Sequence, residues 1–180
     1  MPVYIALLRG INVGPNKRMK MEKLRASCEA LDFEQVATYI QSGNVVFKGR
    51  KLATNAVSQK IEKRIMADFG FAADVIVRTR DEMKKIIEQN PLLKGPGVDQ
   101  SKLHVTFLSD VPAAEAIKKL ESLTLSPDRV RAGDREIYFY FPNGVSGSSL
   151  WKHNLDRVLS VTGTMRNWNT VNQIFQMACA

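Results

Sequence analysis

TYIQSGNVVF, at residues 38–47, is a β-hairpin signature that sets the frame for the whole chain. Two apolar runs, residues 36–40 and 45–47, flank the polar tetrapeptide QSGN at residues 41–44. Glycine and asparagine tolerate the positive φ angles that tight turns require. The pattern therefore predicts two adjacent antiparallel strands in the first half of the chain.

The segments on either side of this hairpin complete a βαββαβ unit. Apolar and β-branched residues favour strands, and apolar residues at helical spacing favour helices. The strands are predicted over residues 3–9 and 72–77, and the helices over residues 19–31 and 54–68. This order closes into a split plait of the ferredoxin type, with strand order 4-1-3-2 and the helices on one face.

The second half of the chain repeats the order of strand, helix, hairpin and helix. A helix over residues 82–89 leads into a connector with proline and glycine, after which strands are predicted at 103–108, 129–132 and 136–141 and helices at 113–123, 148–160 and 168–179. We predict an α+β fold of two ferredoxin-like subdomains, each an antiparallel sheet with helices on one face. The predicted bounds are 1–90 for the first subdomain, 91–102 for the connector and 103–180 for the second.

The composition points to an anionic partner. The 180 residues include 26 Lys and Arg against 18 Asp and Glu, a net charge of +8. Residues 1–90 hold 16 basic and 10 acidic residues, a net +6, and residues 91–180 hold 10 and 8, a net +2. Such a surface attracts phosphorylated molecules and nucleic acid. Two cysteines are too few for a disulfide scaffold, and no apolar run approaches the ~20 residues of a membrane span. We expect a cytoplasmic protein with no metal, cofactor or membrane partner.

Basic residues crowd the segment that follows the first strand. Between residues 9 and 28 there is one acid, Glu22, and six cations: Arg9, Lys17, Arg18, Lys20, Lys23 and Arg25. Strands 1 and 2 of a plait run parallel, so this loop and the QSGN turn emerge at the same end of the sheet. A helix N-terminus near Met19 adds backbone N–H groups that favour anions. The candidate ligand-binding residues are Arg9, Asn12, Lys17, Arg18, Ser42 and Asn44.

A second anion cradle is predicted in TGTMRNWNTV, residues 162–171. Asn167 or Asn169 is suited to cap the last helix, and Trp168 to pack against it. Arg166 has no such structural explanation. An arginine beside a helix N-terminus, with Asn and Thr donors around it, is typical of an anion or carboxylate site. Arg166 and Asn167 are therefore added to the candidate ligand-binding residues.

No residue set identifies a catalytic mechanism. Ser149 and Lys152 match a Ser-x-x-Lys spacing, but the companion elements of that motif are missing, and capping by Ser148 or Ser149 is the better account. Cys28 belongs to a helical apolar stripe and is interpreted as core. Catalytic residues stay unassigned, and the sequence leaves open whether the protein is an enzyme.

Three strings together resemble a known family. RGINVG at residues 9–14, TYIQSGNVVF at 38–47 and TMRNWNTV at 164–171 are similar to the hallmark strings of the bacterial domain of unknown function 1697 family. The resemblance implies a small cytoplasmic protein of two ferredoxin-like subdomains, with no established activity. The chain departs from the family pattern at Pro15, where a second glycine is usual, and at Ser149, where a lysine often follows the serine.

Three functions are compatible with these features. The first is a binding protein for a phosphate-bearing small molecule or nucleic acid. The second is a small enzyme that acts on an anionic metabolite, with Arg and Asn side chains orienting the substrate and stabilising developing negative charge. The third is a structural module that forms a homo-oligomer through an uncovered sheet face.

Overall fold

The fold consists of two compact units, each built on one four-stranded antiparallel sheet. The structure, a computed structural model, describes all residues, 1–180. Residues 1–84 and 173–180 form the first unit, and residues 85–172 form the second. The predicted α+β fold with two subdomains is thus confirmed.

The first unit has the predicted βαββαβ order. Its elements are β1 (Val3–Leu8), α1 (Met21–Glu29), β2 (Glu34–Tyr39), β3 (Asn44–Lys48), α2 (Thr54–Phe69) and β4 (Val75–Thr79). The strand order is β2-β3-β1-β4, which is the predicted 4-1-3-2. Because β3 pairs antiparallel with both β1 and β2, β1 and β2 run parallel to each other.

Alternate side chains of the first sheet form the core with the helices. Tyr4, Ala6 and Leu8 on β1 are buried together with Leu24 on α1 and Ile61 on α2. This period of two along the strand and about four along the helices is what the apolar pattern predicts. Cys28 belongs to the same cluster, as expected, and burial raises the pKa of its thiol to about 12. A thiol so hard to ionise is a packing group rather than a nucleophile.

The junction between the units differs from the predicted bounds. The helix α3 (Arg80–Glu88) contains the division, which falls between residues 84 and 85, rather than in the connector at 91–102. The hydroxyl of Tyr138 donates to the carbonyl oxygen of Ile86 at 2.9 Å, so the end of α3 is tied to the second sheet. The connector itself holds two short 3-10 helices, Pro91–Leu93 and Gln100–Lys102.

The second unit has strand order β6-β7-β5-β8. Its regular elements are β5 (Leu103–Leu108), α4 (Ala114–Leu123), β6 (Arg129–Ala132), β7 (Glu136–Tyr140), α5 (Leu155–Leu159) and β8 (Gly163–Asn167). The last helix, α6 (Trp168–Cys179), begins in this unit, and its residues from 173 onward belong to the first unit rather than to the predicted second subdomain. Residues 145–147 and 149–152 form 3-10 helices. Leu108, Ile137 and Phe139 pack with Leu120 and Leu159 in the core of this unit.

The second unit differs from the prediction in two elements. The helix expected over residues 148–160 is a 3-10 turn followed by the short α5, because Asn154 interrupts it and caps α5 by accepting from Arg157 N at 3.1 Å. The strand β8 was not predicted, because its sequence GTMRN lacks the apolar alternation of a strand. Pairing of β8 with β5, from His104↔Asn167 to Leu108↔Gly163, completes the sheet.

The sheet face opposite the helices is not exposed in the first unit. Ile5 and Leu7 alternate with the core residues of β1, and both are fully buried. In the first unit this face of β1 is therefore not open to a second copy of the chain, and homo-oligomerisation stays a prediction. None of the helices combines the length and apolar character needed to span a bilayer.

Candidate functional site

The loop that follows β1 and the turn between β2 and β3 meet at one end of the first sheet. Leu8 N donates to the carbonyl oxygen of Gly43 at 2.8 Å, which ties the end of β1 to the turn. The two segments therefore lie side by side, as the parallel course of β1 and β2 requires.

Asn12 closes the loop between β1 and α1. Its Nδ2 donates to the carbonyl oxygens of Met19 at 2.9 Å and Gln41 at 2.8 Å, and its Oδ1 accepts from Met19 N at 2.8 Å. Both amide hydrogens are thus used inside the protein. Asn12 was predicted to contact a ligand; instead it fixes the shape of the loop, because its partners lie on the loop and on the turn.

Ser42 and Asn44 shape the turn rather than a ligand surface. Asn44 is fully buried, and its Nδ2 donates to the carbonyl oxygen of Tyr39 at 2.8 Å and to Ser42 Oγ at 3.0 Å. Gly43 has φ +87°, and a Cβ there would lie 2.7 Å from Ile11 Cδ1 and 2.8 Å from Leu8 Cβ. The turn is therefore packed against the β1 loop through a contact that only glycine permits.

Arg9 and Lys17 line an open concavity beside this clasped loop. The concavity has a volume of ≈ 320 Å³ and is lined by Arg9, Gly10, Lys17, Ala72 and Asp74; we call it the Arg9–Lys17 concavity. Arg9 N donates to the carbonyl oxygen of Asp74 at 2.9 Å, and Arg9 Nη1 lies 3.8 Å from Asp74 Oδ2. The lining therefore carries two cations and one carboxylate.

Arg18 and the first turn of α1 stand outside the lining of the concavity. Arg18 is exposed next to Lys17, and neither side chain forms a salt bridge. The helix α1 begins at Met21, and no residue of its first turn lines the concavity. The expected contribution of this helix N-terminus is therefore not part of the site.

Arg166 and Asn167 are not arranged as the predicted second anion cradle. Arg166 lies within β8 and is 7% exposed, and its Nη1 donates to Thr164 Oγ1 at 2.7 Å and to the carbonyl oxygen of Met165 at 2.9 Å. Burial lowers the pKa of Arg166 to about 10. Asn167 Oδ1 accepts from Thr170 N at 2.8 Å and caps α6. Arg166 does lie beside the start of α6, but within the strand β8, which was not predicted from the sequence.

The position of Arg166, in a strand that leads directly into a helix, is repeated in the first unit. Arg78 in β4 is 2% exposed and pairs with Ile5 in β1, as Arg166 pairs with Val105 in β5. In each case a capping residue and a helix follow directly. Thr79 Oγ1 accepts from Glu82 N at 3.1 Å at the start of α3. VIVRT at residues 75–79 and GTMRN at 163–167 are thus equivalent segments, a correspondence that a comparison of the two halves could have found.

Other charged groups offer weaker alternatives. A second concavity of ≈ 90 Å³ is lined by Leu31, Asp32, Phe33, Arg50, Leu52 and Lys60. His104 is half-buried, and burial lowers its pKa, so the neutral ring is favoured. No group of three or more His, Cys, Asp or Glu side chains is arranged to hold a metal ion. The larger Arg9–Lys17 concavity is the better candidate for ligand binding.

Comparisons with other proteins give a family and a structural relative. The family model described as "Protein of unknown function (DUF1697)" matches residues 1–138. The solved structure of the conserved bacterial protein SP0830 from Streptococcus pneumoniae is similar, with a TM-score of 0.80, 25% sequence identity and 98% of each chain covered. No curated protein matches the chain.

Proposed function

The chain belongs to the DUF1697 family of proteins of unknown function, and we propose that it binds a phosphate-bearing small molecule in the Arg9–Lys17 concavity. The family description carries no activity, so the support for this function comes from the chemistry of the site itself. One observation carries it: a single loop brings an arginine and a lysine to the same concavity and is itself held by Asn12.

The hydrogen bonds of Asn12 hold the loop in shape, so little of the loop has to be ordered when a ligand binds. A flexible loop would have to be ordered when a ligand binds, and that ordering reduces affinity. Here Asn12 N also donates to the carbonyl oxygen of Lys17 at 3.0 Å, so the backbone at Lys17 is held before any ligand arrives. An arginine suits bidentate contact with phosphate, and a lysine adds a point charge.

The backbone conformation of Lys17 supports a role for this residue. Lys17 has φ +53°, a left-handed conformation that costs a non-glycine residue about 1 kcal/mol or more. Glycine would remove this cost, yet the chain has a lysine, which places a cation beside the concavity. Residues held in such conformations cluster at binding sites.

The size of the concavity favours a small molecule over nucleic acid at this site. A volume of ≈ 320 Å³ lies at the lower end of the range, about 300–1,000 Å³, of small-molecule sites. The sheet of this unit offers little for stacking of bases, because Tyr4 is buried and its hydroxyl accepts from Leu52 N at 2.9 Å. A phosphate ester of limited size is the ligand class that fits.

The position of Asp74 is the one specific observation that favours the enzyme hypothesis. That hypothesis requires a group able to move a proton within the site, and the Asp74 carboxylate lines the concavity beside Arg9. Arg166, the arginine of the predicted second cradle, is buried in β8. Binding of an anionic ligand is therefore the first proposal, and turnover of that ligand through Asp74 is the second.

A thermal-shift screen with matched variants tests the binding proposal. Nucleotides, sugar phosphates and inorganic phosphate are screened for a rise in the Tm of the full chain, since ligands that bind the native state stabilise it. We expect the rise to be lost in Arg9→Ala and Lys17→Ala and kept in Lys63→Ala, which removes one exposed charge from α2. If no phosphate compound raises Tm, or if all three variants respond as the parent does, the proposal is wrong.

A further inference from the structure

The second unit carries one exposed aromatic side chain, Trp151. It is 41% exposed, and none of the other large apolar side chains with substantial exposure is aromatic. The second tryptophan of the chain, Trp168, is 5% exposed. An indole with this exposure can present part of its ring to a partner.

The indole of Trp151 is held in a fixed orientation. Its Nε1 donates to the carbonyl oxygen of Val145, and its ring lies 5.9 Å from the ring of Phe141 at an interplanar angle of 53°. Phe141 is itself buried and stacks on Phe139 at 5.2 Å. Ser148 Oγ accepts from Leu150 N and caps the 3-10 turn that carries Trp151. A fixed ring loses little conformational entropy when a ligand stacks on it.

The exposed part of the indole is apolar, and the next residue in the chain is an exposed lysine. The only polar atom of the indole is already used by Val145, so the ring offers stacking and no free hydrogen bond. Lys152 and His153 are exposed beside it, and no acidic residue lies between Glu136 and Asp156. A flat ring joined to a phosphate complements this surface in both shape and charge.

We infer that Trp151 is a stacking surface for an unpaired base of single-stranded nucleic acid, with Lys152 beside the phosphate. A protein partner would favour a broad apolar patch with few charges at its centre, whereas the residues that follow Trp151, from Lys152 to Asn154, are exposed and polar. This inference goes beyond the proposed function and does not depend on the Arg9–Lys17 concavity.

Fluorescence tests the inference, because the chain has only two tryptophans. In the full-length Trp168→Phe variant all tryptophan emission comes from Trp151. Titration with oligothymidylate of about ten nucleotides, within the site sizes of single-strand binders, should quench this emission saturably, and an abasic oligomer of the same length should quench it far less. Quenching should persist when Arg9→Ala and Lys17→Ala are added, which separates this site from the concavity.

Binding of a labelled oligothymidylate gives a second readout. Stacking of one base predicts that Trp151→Ala weakens binding about 5- to 100-fold, and that Trp151→Phe, which keeps a smaller ring, has an intermediate effect. Circular dichroism of both variants checks that they fold. The inference is overturned if oligothymidylate leaves Trp151 emission unchanged, if the abasic oligomer quenches equally, or if both variants bind as the parent does. It is also overturned if emission depends on protein concentration alone, which would indicate a second copy of the chain on this surface.

Discussion

Asn12 and Met19 hold each other across the loop between β1 and α1: the amide of Asn12 both accepts from the backbone N–H of Met19, at 2.8 Å, and donates to its carbonyl oxygen, at 2.9 Å. This reciprocal pair closes a loop of basic residues into a defined shape. The position of Lys17, which lies between the two, follows from it.

Replacing Asn12 should therefore loosen the loop and weaken anion binding together. Asn12→Ala leaves backbone groups of the buried Met19 without their partner, a loss of about 1–3 kcal/mol in the free energy of unfolding. Urea denaturation measures this loss. Asn16→Ala, an exposed asparagine of the same loop, should change stability by less than about 0.5 kcal/mol. Equal effects of the two substitutions would show that the hydrogen bonds between Asn12 and Met19 do not stabilise the protein.

Gly43 should resist substitution more strongly than another glycine of similar conformation. Gly43→Ala combines a left-handed φ with overlap against Ile11 and Leu8, and we expect a loss of about 2–4 kcal/mol. Gly14 has φ +71° and nothing within 4 Å of an added Cβ, so Gly14→Ala should cost only about 1 kcal/mol. Thermal and urea unfolding of the two variants decide whether the contact with Ile11, rather than φ alone, sets the requirement.

Two substitutions of Lys17 should differ in stability but not in ligand binding. Lys17→Gly relieves the left-handed conformation, whereas Lys17→Ala keeps it, so the glycine variant should be more stable by about 1 kcal/mol. Both variants lack the ammonium, and both should lose the same affinity for phosphate compounds. A glycine variant that binds as the parent does would show that the charge of Lys17 has no part in the site.

Asp74 should oppose the binding of simple anions. Asp74→Asn removes the one carboxylate that lines the concavity and releases the Arg9 guanidinium from its neighbour at 3.8 Å. We expect inorganic phosphate to bind about 3- to 10-fold more tightly at low salt, with the gain shrinking as salt screens the charges. Calorimetric titration at two salt concentrations measures both effects. Unchanged affinity would indicate that the anion does not sit between these groups.

Asp68 should give the first unit a dependence on acidic pH. Its carboxylate accepts from Ser27 Oγ at 2.6 Å and from Arg64 Nε at 2.7 Å, and these bonds lower the pKa of Asp68. A lowered folded-state pKa means that the stabilisation is present above the unfolded-state pKa and is lost as pH falls through the folded-state pKa. Asp68→Asn should be less stable than the parent at neutral pH, and the gap should close in acid. A gap that stays constant with pH contradicts this.

The sequence predicted local features of the fold and site well and distant ones poorly. The turn at Gly43 and Asn44 was recognisable because its signal lies in adjacent residues. The strand containing Arg166 was not, because its burial depends on pairing with β5, about 60 residues earlier in the chain, rather than on its own polarity. Asn12 was singled out as a ligand-binding residue, and the sequence could not indicate that its amide is used within the protein, since its partner Gln41 lies 29 positions away.

Asp74 is a second residue whose place at the concavity could not be predicted from the sequence. Nothing near residue 74 marks it as part of an anion site. It reaches Arg9 only because β1 and β4 are neighbours, with Leu8 paired to Val75. A single sequence can therefore indicate which loop is basic, but the carboxylate that faces the loop depends on strand pairing.

Titration of the isotopically labelled protein with inorganic phosphate, followed by amide NMR shifts, tests the central claim most directly. We predict saturable shifts that are largest at Arg9, Gly10, Lys17, Ala72 and Asp74 and that disappear in Lys17→Gly. Saturable shifts centred on the smaller concavity of Arg50 and Lys60, or no saturable shift at all, would contradict the assignment of the Arg9–Lys17 concavity as the anion site.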